Sequence, residues 1–465
     1  MSKPKVALIN PGTSSIYSVH EPLNLGFIAA YLEKNGIEVK IIDQLAGDDV
    51  KKEIQQYQPD IVGITATTPV VSVAYEIADF CRQAGRLTVL GGVHASVLPE
   101  EAIKHCDIVV GGEGEIAMLK IARGEIKSGI VIGEYIKNLD EIPLPARHLM
   151  KMDFYIETRK RIPYNVHLTT LPRKARVGHL LTSRGCSYGQ CIFCHNTWRR
   201  APYRADSAEK IISEIKYLRK NYNVDALYYM DDEFLTDRER VIKLCRLILE
   251  NGLENIRWAI ATRVERVDEE ILMLMKKAGC WLVNFGFESG SQRILNLLRK
   301  GNSVDQAKKA VQLCRKVGII PHGTFIIGNP GETWEDIELT RRFITENDII
   351  SPLVGFLTPY PGTEYWNMLK SKNLLPPKIE DIDWDKLTQE RIIINISNIP
   401  TGKLKKMRTW MYLKYFWRHK REALLLIFNV LMNPGASLVK IKNTFEPVFN
   451  FPKGIFKNAK EKRTN

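Results

Sequence analysis

Ser183-Arg184-Gly185-Cys186-Ser187-Tyr188-Gly189-Gln190-Cys191-Ile192-Phe193-Cys194-His195-Asn196 places three cysteines within nine residues of a glycine-containing loop. Thiolates this close in sequence can converge on one polynuclear centre, and three of them leave one iron of a [4Fe–4S] cube without a protein ligand. Such an iron can coordinate a small molecule and pass it an electron. The same spacing admits a zinc site with His195 as fourth ligand, so the residues alone keep both readings open. The loop follows an apolar run over 177–182, the first of a series.

Toward the C-terminus that series continues with β-rich runs over 225–230, 257–261, 281–287, 322–327 and 353–357, most followed by helical patterns such as 209–220, 237–250 and 269–278. Ser303 with Gln306 predicts a capping box after the fourth strand. Six βα units, rather than eight, predict an open, partial (β/α)6 barrel with its site at the C-terminal rim of the strands. The rim carries Asp231-Asp232-Glu233-Phe234, Thr262-Arg263-Val264-Glu265, Asn284 through Ser291, Gly328 through Thr333 and Thr358 through Thr363. Carboxylates there suit an ammonium group, although acids also favour an exposed helix N-terminus. Arg263 suits a carboxylate.

Toward the N-terminus, strands over 5–10, 38–43, 61–65, 88–91 and 107–110 alternate with helices over 24–34, 50–56 and 72–83. Short apolar strands separated by helices predict a doubly wound, flavodoxin-type parallel sheet of five strands, buried on both faces. Ligands of such sheets lie at the carboxyl ends of the strands. Those ends carry Asn10-Pro11-Gly12-Thr13, Thr65-Ala66-Thr67-Thr68-Pro69, Gly91-Gly92-Val93-His94 and Gly111-Gly112-Glu113-Gly114-Glu115. Glycine lets backbone approach a ligand closely, while Thr and His offer polar contacts. No G-x-G-x-x-G follows the first strand, which weighs against a dinucleotide.

The cysteine loop and the ordered rim motifs closely resemble the radical S-adenosylmethionine (SAM) superfamily. The first 130 residues look like the cobalamin-binding domain fused to it in the B12-dependent branch. This resemblance implies a [4Fe–4S] cluster on Cys186, Cys191 and Cys194, and SAM contacts from Phe193, Asp231, Asp232, Arg263, Glu288 and Ser289. It implies cobalamin contacts from Thr13, Thr65, Thr67, Thr68, Gly91, Gly92, His94, Gly112, Glu113 and Gly114. Where many cobalamin domains have D-x-H-x-x-G, this chain reads Asp43-Gln44-Leu45-Ala46-Gly47-Asp48, so no imidazole is expected below the cobalt. One departure concerns the cluster loop: four residues separate Cys186 from Cys191, where the family has three, and the Gly189-Gln190 turn is where the extra residue would be absorbed.

The chemistry so implied is C-methylation of an unactivated carbon, fed by an external one-electron reductant, with the cofactors rather than a side-chain acid or base doing the difficult steps. Radical cyclisation or carbon–carbon bond formation on a lipid or tetrapyrrole is the alternative within enzymes. A cobalamin-sensing regulator is the alternative outside them. The methylthiotransferase branch would bring three further N-terminal cluster cysteines, and only Cys81 and Cys106 precede Cys186. Those two, with Cys245, Cys280 and Cys314, read as small buried hydrophobes.

Charge is concentrated at one end. Of a net +14 over 465 residues, the stretch 401–465 carries fifteen Lys and Arg against Glu422, Glu446 and Glu461. Within it, Trp410, Tyr412, Tyr415, Phe416 and Trp417 interleave with six basic residues, and an almost wholly apolar run over 423–432 follows. A basic aromatic helix beside a short apolar run suits a bilayer interface, or equally a helix packing one face on the barrel. A nucleic-acid partner fits less well, since the first 400 residues are close to neutral. With 45% hydrophobic residues, no apolar run near the ~20 needed to span a bilayer and no signal-like N-terminus, the expectation is a cytoplasmic protein that can sit at the inner membrane face. Its substrate would be a small-molecule or lipid-like compound, apolar or membrane-associated. The expected domains are 1–130, a linker over 131–175, a barrel over 176–372 and a mainly helical basic segment over 373–465.

Overall fold

The computed structural model describes residues 4–12, 19–157, 170–172, 174–196, 201–347, 349–376, 378–420 and 423–424. Six parallel strands form the first sheet: β1 Lys5–Asn10, β2 Glu38–Asp43, β3 Ile61–Thr65, β4 Leu87–Gly91, β5 Ile108–Gly112 and β6 Gly129–Gly133. Their order, β2-β1-β3-β4-β5-β6, is the doubly wound arrangement. Val6, Ala7, Leu8 and Ile9 of β1 are all buried, as a strand covered by helices on both faces must be.

The sheet has six strands rather than five. The sixth lies where a connector is expected because its alternating pattern does not read as a buried strand: Ile130 and Ile132 are exposed on an edge bounded by Gly129 and Gly133. Nor is the rest of the connector loose. Tyr155, in the short helix Met152–Ile156, is fully buried and donates to Asp43 Oδ2 at 2.5 Å, while Arg147 donates to the backbone oxygen of His179 at 2.8 Å. These side chains fasten the first sheet to the second.

The second sheet runs β7 Val177–Leu180, β10 Ala226–Tyr229, β11 Arg257–Thr262, β12 Cys280–Glu288, β13 Ile320–Ile327 and β14 Leu353–Phe356, all parallel and neighbouring in chain order. It is the expected open barrel of six strands. Between β7 and β10 lies an unexpected two-residue ladder, β8 Ser183–Arg184 paired antiparallel with β9 Arg204–Ala205. Strand alternation sorts the barrel residues cleanly. Leu180, Leu227, Tyr229, Ile260, Phe285 and Phe325 face the helices, and Val177, Ala226, Ala259, Leu282 and Ile320 form an apolar floor inside. Above the floor the inward positions are His179, Tyr228, Asn284 and His322. The Ser303 capping box is present as expected.

The C-terminal part closes two open flanks. Trp384 packs edge-on against His94 at 4.9 Å and donates to Glu101 Oε1 at 3.1 Å, tying 379–387 to the first sheet's helices. The helix Thr401–Arg418 buries Leu404, Met407, Met411 and Tyr415 on the barrel. Its tyrosine hydroxyls accept from the backbone at the edge strand, Tyr415 from Ser351 N at 2.7 Å and Tyr412 from Val354 N at 3.0 Å. That covers donors an exposed edge would otherwise offer to another chain. Packing accounts for this part of the basic stretch; most of the apolar run 423–432 lies outside the described residues. Among the described residues no helix is long and apolar enough to cross a membrane.

Candidate active site

β7 delivers the chain into the cysteine loop, and the β8–β9 ladder closes that loop at its base, with Arg184 opposite Arg204. Between Cys186 and Cys191, Gly189 takes a left-handed φ of 55°, which glycine adopts without strain. Cys191 is buried, Cys186 and Cys194 are half-buried. Burial pushes the Cys194 thiol up to about 12, and each of the other two thiols adds to that upward push. Burial also raises Cys191, against the pull of the Lys300 and Arg263 cations. Arg263 Nη1 stands 4.0 Å from Cys191 Sγ, and its guanidinium lies 3.8 Å from the centre of the Tyr188 ring. The Cys191 and Cys194 thiols therefore hold their protons until iron supplies the positive partner that favours thiolate, with Lys300 and Arg263 already pulling that way at Cys191. Among the described residues no three His, Cys, Asp or Glu groups close on a point as a single metal ion requires, and His195 lines the cavity described below.

Much of the barrel rim is occupied by its own ion pairs. Asp231 is buried and accepts from Thr182 N at 2.6 Å, Thr182 Oγ1 at 2.7 Å and Ser183 Oγ at 2.7 Å. It therefore pins the start of the cysteine loop. Glu233 accepts from Leu235 N at 3.1 Å and Thr262 Oγ1 at 2.5 Å. A register shift in β12 puts Glu288 at φ 62°, where its carboxylate meets Lys300 Nζ at 2.8 Å. Burial opposes charge on Lys300, but Glu288 and Cys191 beside it hold its pKa above the ordinary value. Phe193 packs with Ile192, Ile294, Leu298 and Ile326, 5.8 Å below the Lys300 ammonium. Ser289 Oγ lies 3.1 Å from Thr340 Oγ1. Of the six expected SAM residues, Asp232 alone lines the cavity between the two sheets.

That cavity, of about 330 Å³, reaches about 1420 Å³ when its open mouth is included. The first sheet contributes Thr65, Thr67, Gly91, Gly92, Gly112, Glu113 and Gly114; the barrel contributes Leu181, Ser183, Arg184, His195 and Asp232. Apolar walls come from Leu25, Phe27, Ile28, Val93 and Met118, with Asn24 and Ser96 as polar points. Gly92 holds φ 92°, and a Cβ there would meet Ala66 O at 2.6 Å. A glycine-backbone floor with apolar walls fits the broad face of a corrin, and Cys186, Cys191 and Cys194, which do not themselves line the cavity, are by their chemistry the donor set of a cube with one iron left open.

Two expected cobalamin residues are not brought to the cavity. His94 is fully buried: its Nδ1 lies 3.2 Å from Thr68 Oγ1 and its Nε2 3.1 Å from Glu101 Oε2, in a pocket capped by Trp384. Thr68 is buried as its partner. A strand-end position does not decide which way a side chain turns, and here the C-terminal segment draws both away. Thr13 lies outside the described residues. Lys300, the partners of Arg184, and His179, Tyr228 and His322, which join the rim residue Asn284 in one inward row, were not anticipated. The row's sequence signal is a polar residue at each inward position of otherwise apolar strands. Lys300 carries none beyond the neighbouring Gly301.

Comparison with known proteins agrees with this geometry. The model of the radical SAM superfamily matches residues 180–344, and that of the B12 binding domain matches 9–122. An uncharacterized methyltransferase of Pyrococcus horikoshii is 32% identical over 90% of this chain and 93% of its own length. The fold is shared with the cobalamin-dependent SAM radical enzyme OxsB bound to aqua-cobalamin and SAM, at TM-score 0.70 and 18% identity, covering 98% of this chain and 78% of that one. It is shared also with the radical SAM methyltransferase TsrM from Kitasatospora setae with cobalamin and a [4Fe–4S] cluster, at TM-score 0.64 and 22% identity, covering 80% and 78%. The chain belongs to the cobalamin-dependent branch of the radical SAM superfamily. It is an enzyme whose cofactors are a [4Fe–4S] cluster, SAM and cobalamin.

Proposed function

We propose that this enzyme transfers a methyl group to an unactivated carbon of an apolar, membrane-associated small molecule. The observation that carries the reading is the cavity bounded on one side by the glycine edge of the first sheet and on the other by Ser183, Arg184 and His195, which flank the three cysteines in the chain. When bound, the cofactors supply hydrogen-atom abstraction and methyl transfer. The chain's own part is placement. Cys186, Cys191 and Cys194 hold the cluster, with Arg263 and Lys300 balancing its negative charge. Phe193 and Asp232, with Arg263, Glu288 and Ser289, flank the SAM position. Asp231 fixes the loop from which the cysteines project. Thr65, Thr67 and the four glycines support the corrin, and Leu25, Phe27, Ile28 and Met118 keep water from the reacting groups.

The apolar walls support a hydrophobic substrate. The exposed Trp417, 82% accessible, with Leu413, Leu424 and the lysines around them, supports contact with an anionic bilayer. Anaerobic turnover with deuterated-methyl SAM and a lipid extract tests the chemistry: label in a product is the expected result, and 5′-deoxyadenosine with an unlabelled product would overturn methylation in favour of another radical reaction. Flotation on anionic liposomes tests the surface, with the variant Trp417→Ser/Leu413→Ser expected to stay in the unbound fraction. Equal recovery of both proteins would remove the membrane part of the reading.

A further inference from the structure

Glu113 stands between Gly112 and Gly114, in the loop after β5, and is almost fully buried. Its carboxylate is gripped from the barrel side by two arginines. Arg184 Nη1 lies 3.1 Å from Oε2; Arg204 donates through Nη1 to Oε2 at 3.0 Å and through Nη2 to Oε1. Arg184 also donates to Glu115 Oε1 at 2.6 Å, and Arg204 to the backbone oxygen of Ile136 at 2.6 Å. Each guanidinium lies over a ring, Arg184 at 5.3 Å from Phe27 and Arg204 at 4.9 Å from Tyr135. The two arginines are cross-strand partners in the β8–β9 ladder that closes the cysteine loop, and Arg184 is two residues from Cys186.

Among the described residues the cluster sets Arg184 and Arg204 against Glu113 and Glu115, and planar guanidinium forks tolerate little change in distance or tilt. Buried pairs of this kind contribute little net stability compared with apolar packing of the same volume, but they specify one geometry. The cofactor-facing loops of both sheets are therefore joined through four side chains.

We propose that Glu113, acting through Arg184 and Arg204, is a positioning residue that sets the separation and tilt of the cluster relative to the corrin, rather than a contact to the corrin itself. The inference rests on both cofactors being held at once and is independent of which carbon is methylated. Its test therefore needs no substrate. Full-length Glu113→Gln and Arg204→Lys proteins are reconstituted with iron, sulfide and hydroxocobalamin, then reduced so that cobalt(II) and the reduced cluster are both paramagnetic. In the parent protein the cobalt signal is expected to be broadened by the nearby cluster spin. Both variants are expected to keep full iron and corrin content and to lose or scatter that broadening, Glu113→Gln more than Arg204→Lys. Unchanged broadening in a variant holding both cofactors would overturn the proposal. So would weaker hydroxocobalamin binding with normal broadening of the corrin still bound, since Glu113 would then be a corrin contact. Should Glu113→Gln fail to fold, Arg204→Lys, which keeps the charge and removes the fork, decides alone.

Discussion

At the carboxyl edge of the first sheet the groups that face the cavity are largely backbone: Gly91, Gly92, Gly112 and Gly114, with Thr65 and Thr67. The barrel rim is instead built of charged side chains already engaged with their neighbours outside that cavity, Glu288 with Lys300, Asp231 with Thr182 and Ser183, Arg263 beside Cys191. The first edge should tolerate a change of charge and fail on an added carbon. The rim should do the reverse, because removing one partner strands the other away from water.

The largest effect is expected at the rim. Replacing Cys191 by alanine should take bound iron to background and abolish 5′-deoxyadenosine formation; full iron content with undiminished turnover would leave the site without its centre. Next comes Lys300→Met, which strands the buried Glu288 carboxylate and should lower unfolding stability by roughly 3–5 kcal/mol. Urea denaturation of Lys300→Met and of Lys300→Met/Glu288→Gln separates the two contributions, the double variant recovering most of the loss.

Gly92→Val tests the other edge. With φ at 92° and Ala66 O at 2.6 Å from a Cβ, it should cost about 1–3 kcal/mol and weaken hydroxocobalamin binding while leaving iron content intact. A variant that loses iron instead would erase the contrast between the edges.

Glu332, at the end of β13, sharpens the rim side through pH. Burial lifts its carboxyl from 4.5 to about 7 although Gly328 N at 2.6 Å and Asn329 N at 2.9 Å donate to it. The folded state thus holds a proton that the unfolded chain has lost. This group's contribution to stability falls as pH rises from 4.5 to about 7 and is level above that. Glu332→Gln should flatten that part of the profile relative to the parent, read from denaturation midpoints across the window. The smallest effect is expected far from both edges: Tyr412→Phe removes one hydroxyl from Val354 N and should lower stability by about 1 kcal/mol, with cofactor content unchanged.

The comparison also separates what was readable in the sequence from what was not. Strand ends rich in glycine announce themselves, so seven of the expected corrin residues line the cavity. The sixth strand escaped because an edge strand with exposed isoleucines lacks the burial pattern that marks its neighbours. His94 looked like a ligand from its place after Gly91-Gly92, yet Glu101 and Trp384 claim it, and Trp384 lies far along the chain. Lys300 stays hidden among ordinary lysines until β12 bends at Glu288 and brings the pair together.

Local spacing by itself determined the two parallel sheets, the triad of cysteines and the ligand-bearing edges, because periodicity and loop chemistry act over a few residues. Only the tertiary structure decided that Arg184 and Arg204 meet Glu113, that Asp231 secures the cysteine loop and that His94 turns from the cavity. Those pairings, with Trp384 over His94 the longest in reach, join segments dozens of residues apart, and a buried charge or imidazole settles wherever the assembled fold offers it a partner.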